Sequence, residues 1–323
     1  MSAEPDPPGP IDCLQRGLRS LRANWQLVPV VVIQTLLTTG LIVAGLLVLF
    51  AALGISVVAW LRSLGPDWPQ QLIDDLVLAL EATPPPLLPL VLPLIGATLL
   101  WTLAFGLYCY LQGGAVGILA EGETAAGGGL PGWRSFRRFS LAAFDLQGRR
   151  LFWRYFWFNH LLGAVILVWT TLLLALLVLA VDMATGRQPT LGVAVGCTGL
   201  APLGLLLVAI GLWSILATVE VARPGAGVWA ASSRALGTLR RRFGAVLVIS
   251  LLAMVAWLAG GAVLTPIRWT MAIAAGDHLS VWLTARGVLL AFESLIDGAV
   301  VVALVATLAA LVGLRPAAAT EAG

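Results

Sequence analysis

Residues 234–265 read RALGTLRRRFGAVLVISLLAMVAWLAGGAVLT. Leu236 and Leu239 alternate with Arg234 and Arg240 to Arg242, and from Phe243 onward the stretch is apolar without a charge. A helix needs about 20 such residues to cross a hydrocarbon core of about 30 Å, so this run predicts a transmembrane helix over 243–265. Working outward, five further runs qualify, at 27–61, 87–111, 156–181, 191–219 and 288–314. The expected fold is an all-α integral membrane protein: six transmembrane helices in three hairpins, each preceded by a cytoplasmic amphipathic helix. The corresponding organisation is an N-terminal segment over 1–24, a six-span membrane domain over 25–314 and a tail over 315–323.

Composition agrees with that reading. Of 323 residues, 59% are apolar and 11% charged, against roughly half and a quarter in a soluble domain. A mean hydropathy of +0.96 excludes a water-soluble globule, because the apolar residues are spread over the whole chain. Every basic residue is Arg, which removes a P-loop lysine or a Schiff-base lysine. His160 and His278 are the two histidines, so no His-rich metal cluster and no cofactor are expected. Cys13, Cys109 and Cys197 are odd in number and far apart, and no disulfide is expected. The run beginning at Leu27 is far longer than a signal-peptide core, so no cleaved leader is expected either.

Orientation follows from where the arginines fall. Arg16, Arg19 and Arg22 precede the first span; Arg134, Arg137, Arg138, Arg149, Arg150 and Arg154 lie between the second and third; Arg223, Arg234 and Arg240 to Arg242 lie between the fourth and fifth; Arg315 follows the sixth. The alternate loops hold only Arg62, Arg187, Arg268 and Arg286, with Asp67, Asp74, Asp75, Glu81, Asp182 and Asp277. Because basic flanks stay in the cytoplasm, both termini are expected on the cytoplasmic side of the cell's inner (plasma) membrane.

The three basic segments share a spacing. Ile11, Leu14, Leu18 and Leu21, then Phe136, Phe139, Ala143 and Leu146, then Trp229, Ser232, Leu236 and Leu239 all run i, i+3, i+7, i+10, one face of a helix. Each is followed by arginine and an aromatic residue before the next span, and Trp153, Tyr155, Phe156, Trp157 and Phe158 form an aromatic belt. Such helices would lie in the headgroup layer, so Arg137, Arg138, Arg149, Arg150, Arg240, Arg241 and Arg242 are candidate contacts for anionic lipid or for a partner's acidic surface. The bland alternative is that these residues only set topology.

The segment from Arg234 through Leu247, together with Tyr110-Leu-Gln-Gly-Gly, resembles a loose A-L-x-x-S/T-x-x-L-x-x-x-F pattern. That pattern occurs in bacterial six-helix proteins similar to the glycerophosphoryl diester phosphodiesterase membrane domain and its uncharacterised relatives. The resemblance covers the layout of residues 14–314. It implies a membrane module and not an esterase, since the family's catalytic domain is a separate barrel and no soluble segment here could form one of about 250 residues.

Ionisable groups at bilayer depth are few. Glu293 and Asp297 lie four apart on one helical face, with Arg286 on nearly the same stripe. As paired carboxylates they suit proton or cation exchange. Alternatively Glu293 reaches water or Arg268 while Asp297 hydrogen-bonds a neighbouring helix. Gln34, Gln112, Asn159, His160 and Glu220 are expected near the cytoplasmic ends of spans one to four, in reach of water or headgroups. The glycine-rich run 113–132 is expected as a flexible exit from the second span, and 69–83 as an acidic amphipathic helix on the far surface.

These features favour a non-enzymatic accessory or scaffold module, with lipid or envelope homeostasis as its setting. The alternative is a permease-type subunit working with a partner ATPase. The bilayer and anionic lipids are the expected partners, with a partner protein or a homo-oligomer also open, and no nucleic acid.

Overall fold

The computed structural model describes residues 9–52, 87–126, 132–136, 138–185, 189–225, 227–275 and 279–313. Among them the regular structure is helical: α1 (Pro10–Ala23), α2 (Leu27–Ala52), α3 (Leu87–Ala126), α4 (Leu141–Thr185), α5 (Pro189–Val221), α6 (Val228–Arg241), α7 (Phe243–Ala275) and α8 (Leu279–Val312), with a 3-10 turn at Trp133–Ser135. Six of these helices are long and apolar enough to cross a membrane, the make-up of a multi-pass membrane protein. Each satisfies its own backbone, which is why helices and not irregular chain can occupy lipid. The prolines inside them, Pro93, Pro202 and Pro266, do not interrupt the helices.

Several boundaries differ from those read in the sequence. The second span continues through Ala126 instead of ending at residue 111, so the glycine-rich run is helix over its first half. The reason is close packing: a side chain at Gly114 would meet the Phe144 ring at 2.6 Å, so glycine lets α3 and α4 approach. The third span begins at Leu141 and not at Phe156, giving one unbroken helix of 45 residues. At about 1.5 Å per residue it is roughly 68 Å long, more than twice the hydrocarbon core. Phe136 and Phe139 precede this helix while Ala143 and Leu146 lie inside it, so among the described residues the second basic segment leads straight into α4. The fifth helix runs on to Ala275, the sixth starts at Leu279, and the first is described through Ala52. The acidic segment 69–83 and Arg137 lie outside the described residues.

The first and third basic segments match each other closely. Both are helices of 14 residues that start after glycine, at Gly9 and Gly227. Their C-caps, Asn24 (φ −123°, ψ 34°) and Arg242 (φ −124°, ψ 31°), turn the chain identically into α2 and α7. Small residues form the buried face of each, with Cys13, Gly17 and Ser20 in α1 and Ala231, Ser232 and Ala235 in α6. Several large apolar residues point away: Ile11 is 71% and Trp229 74% exposed, with Leu18 and Leu236 also exposed, whereas Leu239 of the same apolar stripe is buried.

The chain forms two compact units, Met1–Val32 with Cys109–Gly323, and Ile33–Tyr108. In the first, α1 packs on α8, α4 on α5, α5 on α6 and α7 on α8. The head of α4 packs on the tail of α3, where Gly113 meets Leu151 and Tyr155. Each basic segment therefore rests on the final turns of a membrane helix: α1 on α8, the head of α4 on α3, and α6 on α5. In the second unit Trp101 covers Gly45, and its Nε1 donates to the Ile42 carbonyl at 3.3 Å.

The tightest contact in the first unit is Gly17 on Thr307. A Cβ at Gly17 would lie 2.8 Å from the Thr307 amide nitrogen and 2.9 Å from its Cα. Gly17→Ala is expected to cost about 1–3 kcal/mol by overpacking, read as a lower unfolding temperature in detergent. Gly163→Ala, at a helical position with nothing within 4 Å, should leave stability level or raise it by about 0.5–1 kcal/mol.

Candidate functional site

At the end of the first unit where α1 and α6 lie, charges are buried in pairs. Glu220, in the last turn of α5, is 2% exposed; its Oε2 accepts from Arg234 Nε at 3.1 Å and forms an ion pair with Arg223, whose Nε lies 3.1 Å away without hydrogen-bond geometry. Arg223 is one turn on in sequence, while Arg234 comes from α6 where that helix packs across α5. The sequence reading put Glu220 in reach of water; the structure buries it between two guanidiniums instead. A second pair joins α1 to α3, where Arg16 Nε donates to Glu123 Oε1 at 2.8 Å with both side chains buried. Arg16 and Arg234 are each the seventh residue of their 14-residue helices, so the twin helices use the same position to hold a buried glutamate.

The same end caps α8. Arg242 Nη1 donates to the Leu311 carbonyl at 2.8 Å and Arg223 Nη2 to Val312 at 3.5 Å. Carbonyls of a last turn lack partners within the helix, and cations there also oppose the negative end of its dipole. Arg154 Nη1 ties in at 3.1 Å to the Arg223 carbonyl, and Tyr155, fully buried, donates its hydroxyl to Thr218 O at 2.7 Å. Cys13 lies in this neighbourhood. Burial is the main cause pushing its thiol up to about 11, with Glu123 and Asp12 adding to the rise and Arg242 and Arg16 opposing it.

The remaining sequence candidates at this end divide by exposure. Arg242 is spent on α8, whereas Arg138, Arg149, Arg150, Arg240 and Arg241 are exposed. Arg149 Nε donates to Asp145 at 3.0 Å, and Asp145 also accepts from the Tyr110 hydroxyl at 2.6 Å. Below Arg149 and Arg150 the aromatic run splits in two. Tyr155 and Phe158 turn into the bundle, while Trp153 and Trp157 stay over 60% exposed. Phe156 links them, its ring centroid 5.4 Å from Trp153, 5.5 Å from Trp157 and 4.3 Å from His160. His160 Nδ1 lies 2.9 Å from Phe156 O. Arg150, Trp153, Trp157 and His160 thus share one exposed stripe of α4.

Midway along α8 the carboxylates are not left facing each other. Glu293 Oε1 is 2.9 Å from Arg268 Nη2 and 3.4 Å from Arg286 Nη1, so Glu293 is bridged by cations from both helices. Asp297, one turn deeper, is exposed and accepts from Trp257 Nε1 at 2.7 Å. Away from these ends, Asn159 Nδ2 donates to Gln112 Oε1 at 2.9 Å. Among the described residues no three His, Cys, Asp or Glu side chains gather.

Glu123 was missed by the sequence reading because it follows Gly113, Gly114 and Gly117 in a stretch taken as flexible. The signal that could have found it is the shared seventh-position arginine of α1 and α6, a buried cation that needs an anion.

Glu220→Gln removes the anion while leaving Arg223 and Arg234 in place, and breaking a buried pair this way costs about 3–5 kcal/mol. A loss at the low end is expected, since Arg234 is 40% exposed. Glu220→Leu with Arg234→Met should recover part of it in the same thermal assay. Cys13 should resist maleimide at pH 7.5 until SDS is added, because the thiolate is the reactive form. Its raised pKa also predicts stability that is full below about pH 9, where an ordinary thiol ionises, and falls as pH rises toward 11, since between those values the unfolded thiol ionises first.

No family model matches this chain, and neither a protein of described function nor a solved structure matches it significantly. The functional reading therefore rests on the residues and their geometry.

Proposed function

We propose that this protein is a non-enzymatic accessory or scaffold module of the bacterial inner membrane, with both termini cytoplasmic, that holds a basic surface against anionic lipid. Lipid or envelope homeostasis is the setting this reading favours, in keeping with the sequence resemblance noted above. The observation that carries it is the three-sided make-up of α1 and α6. Small residues pack on the bundle, Ile11 and Leu18 or Trp229 and Leu236 are exposed, and Arg240 and Arg241 lie on the rim. In water such apolar exposure is unfavourable. In the headgroup layer it is the binding face of an interfacial helix, and arginine there meets phosphate.

The length of α4 supports the same depth. Counting about 20 residues of hydrocarbon back from Val181, where its apolar span ends, brings the boundary close to His160, with Trp157 and Trp153 in the next two turns and Arg150 about 15 Å further along the helix, on the water side. The transport-subunit alternative needs Asp297 to line an enclosed path. Asp297 is instead exposed beside Trp257, which favours the scaffold reading.

The test is lipid composition. Full-length protein extracted in mild detergent is expected to retain anionic over zwitterionic lipid, measured by mass spectrometry. Arg240→Gln with Arg241→Gln removes two cations worth about 1 kcal/mol each at an anionic surface, so enrichment should fall roughly tenfold or more. Unchanged enrichment in a folded variant would sink the lipid reading, and turnover of a lipid by pure protein would sink the non-enzymatic one.

A further inference from the structure

The end of the first unit where α8 is capped holds more cations than its anions answer. Arg154, Arg223, Arg234 and Arg242 are joined there through Glu220, the Arg223 carbonyl and the last carbonyls of α8. Among the described residues this network sets four guanidiniums against one carboxylate. Glu220 meets two of them with the same oxygen, Oε2, in a hydrogen bond to Arg234 and an ion pair with Arg223. Arg223 Nε and Arg234 Nη2 are left buried with no acceptor among the described residues. A guanidinium is a planar fork that fits two oxygens of one carboxylate or phosphate, and here neither fork is filled. Buried donors in that state point to an anion that belongs beside them.

Depth says which anion. The apolar spans of α5, α7 and α8 have their ends on this side at Val221, Phe243 and Val312. Arg223 lies two residues beyond the first, Arg242 lies one residue before the second, and both donate to the last turn of the third. Where three spans stop together, hydrocarbon gives way to headgroups, and lipid phosphates lie at that step. The side chains of Arg223 and Arg234 remain 31% and 40% exposed there. The negative end of the α8 dipole offsets only about half a charge, so an excess of about two to three positive charges remains. Such an excess selects a headgroup that carries no ammonium of its own.

We infer that Arg223 and Arg234 seat the phosphate of a single anionic phospholipid, with Arg154 and Arg242 completing the positive rim. One lipid is thereby held as part of the fold where α5, α6, α7 and α8 meet. The seat rests on the lipid reading above and deepens it, and it differs from that surface in kind. Arg240 and Arg241 gather anionic lipid along a rim, whereas the seat takes one molecule by its phosphate oxygens. Glu220 is the internal competitor for the same two guanidiniums, so the charge of this carboxylate sets how firmly the lipid is held.

The experiment delipidates full-length protein in mild detergent and titrates it with phosphatidylglycerol, phosphatidylethanolamine or inorganic phosphate. Native mass spectrometry reads the bound lipid and a thermal assay the unfolding temperature. One phosphatidylglycerol per 33.9 kDa chain is expected, held roughly tenfold tighter than phosphatidylethanolamine and raising the unfolding temperature. Arg234→Gln should weaken it roughly tenfold, and Arg234→Lys, which keeps the charge without the fork, should weaken it too. Glu220→Gln should act in the opposite sense: it binds the lipid more tightly, and phosphatidylglycerol restores more of its unfolding temperature than it adds to wild type. Arg240→Gln with Arg241→Gln should lower general enrichment and leave the single lipid in place. General enrichment without a retained single lipid overturns this proposal and leaves the surface reading standing. Equal retention in folded Arg234→Gln and Arg234→Lys overturns it, as does inorganic phosphate stabilising as strongly as lipid. So does lipid binding that appears only in Glu321→Gln, the result expected if the chain's own tail fills the seat.

Discussion

Low tolerance of hydrocarbon for unpaired charge is the constraint on which the rest of this structure depends. A carboxylate or guanidinium at bilayer depth costs several kcal/mol unless it is paired or reaches the interface. The chain answers by pairing charge between neighbouring helices. Glu220 is enclosed by Arg223 and Arg234, Glu123 by Arg16, and Glu293 by Arg268 and Arg286. These pairs do more than neutralise one another. Arg223 and Arg242 also take the last carbonyls of α8, groups that lipid could not satisfy. Charge pairing, helix capping and the packing of α1 and α6 are thus one arrangement at the basic end.

That constraint also explains how far the sequence could be read. The six apolar helices were legible because a long apolar run in a chain without lysine has few other uses, and the runs near Phe243 and Leu27 begin where the helices do. Helix ends were less legible. Phe156 looked like a start because aromatic residues mark interfaces, but α4 had already begun at Leu141, since Arg149, Arg150 and Arg154 are good helix formers on an exposed or capping side. Gly113 to Gly117 looked like a break because glycine loosens an isolated helix. Against the Phe144 ring its missing side chain is what allows contact.

The site was legible in part for the same reason. Arg240 and Arg241 are exposed as their spacing suggests, but no local pattern says that Arg242 turns away to α8, because its partner is 69 residues distant. Glu293 and Asp297 were found as the carboxylates of one face. Their separate fates depend on what α7 offers at each level, Arg268 to one and Trp257 to the other. Sequence spacing on a single helix shows which groups share a face, while the neighbouring helix decides their chemistry.

The twin helices α1 and α6 each join their membrane helix through a turn, at Asn24 and at Arg242, whereas the middle basic segment runs into α4 with no break across 45 residues. A turn absorbs motion and a continuous helix transmits it. Of the three basic segments, the middle one alone continues into its membrane helix without a turn, so its arginines, Arg149 and Arg150, share one axis with the apolar run, whereas the axes of α1 and α6 are separated from those of α2 and α7 at Asn24 and Arg242.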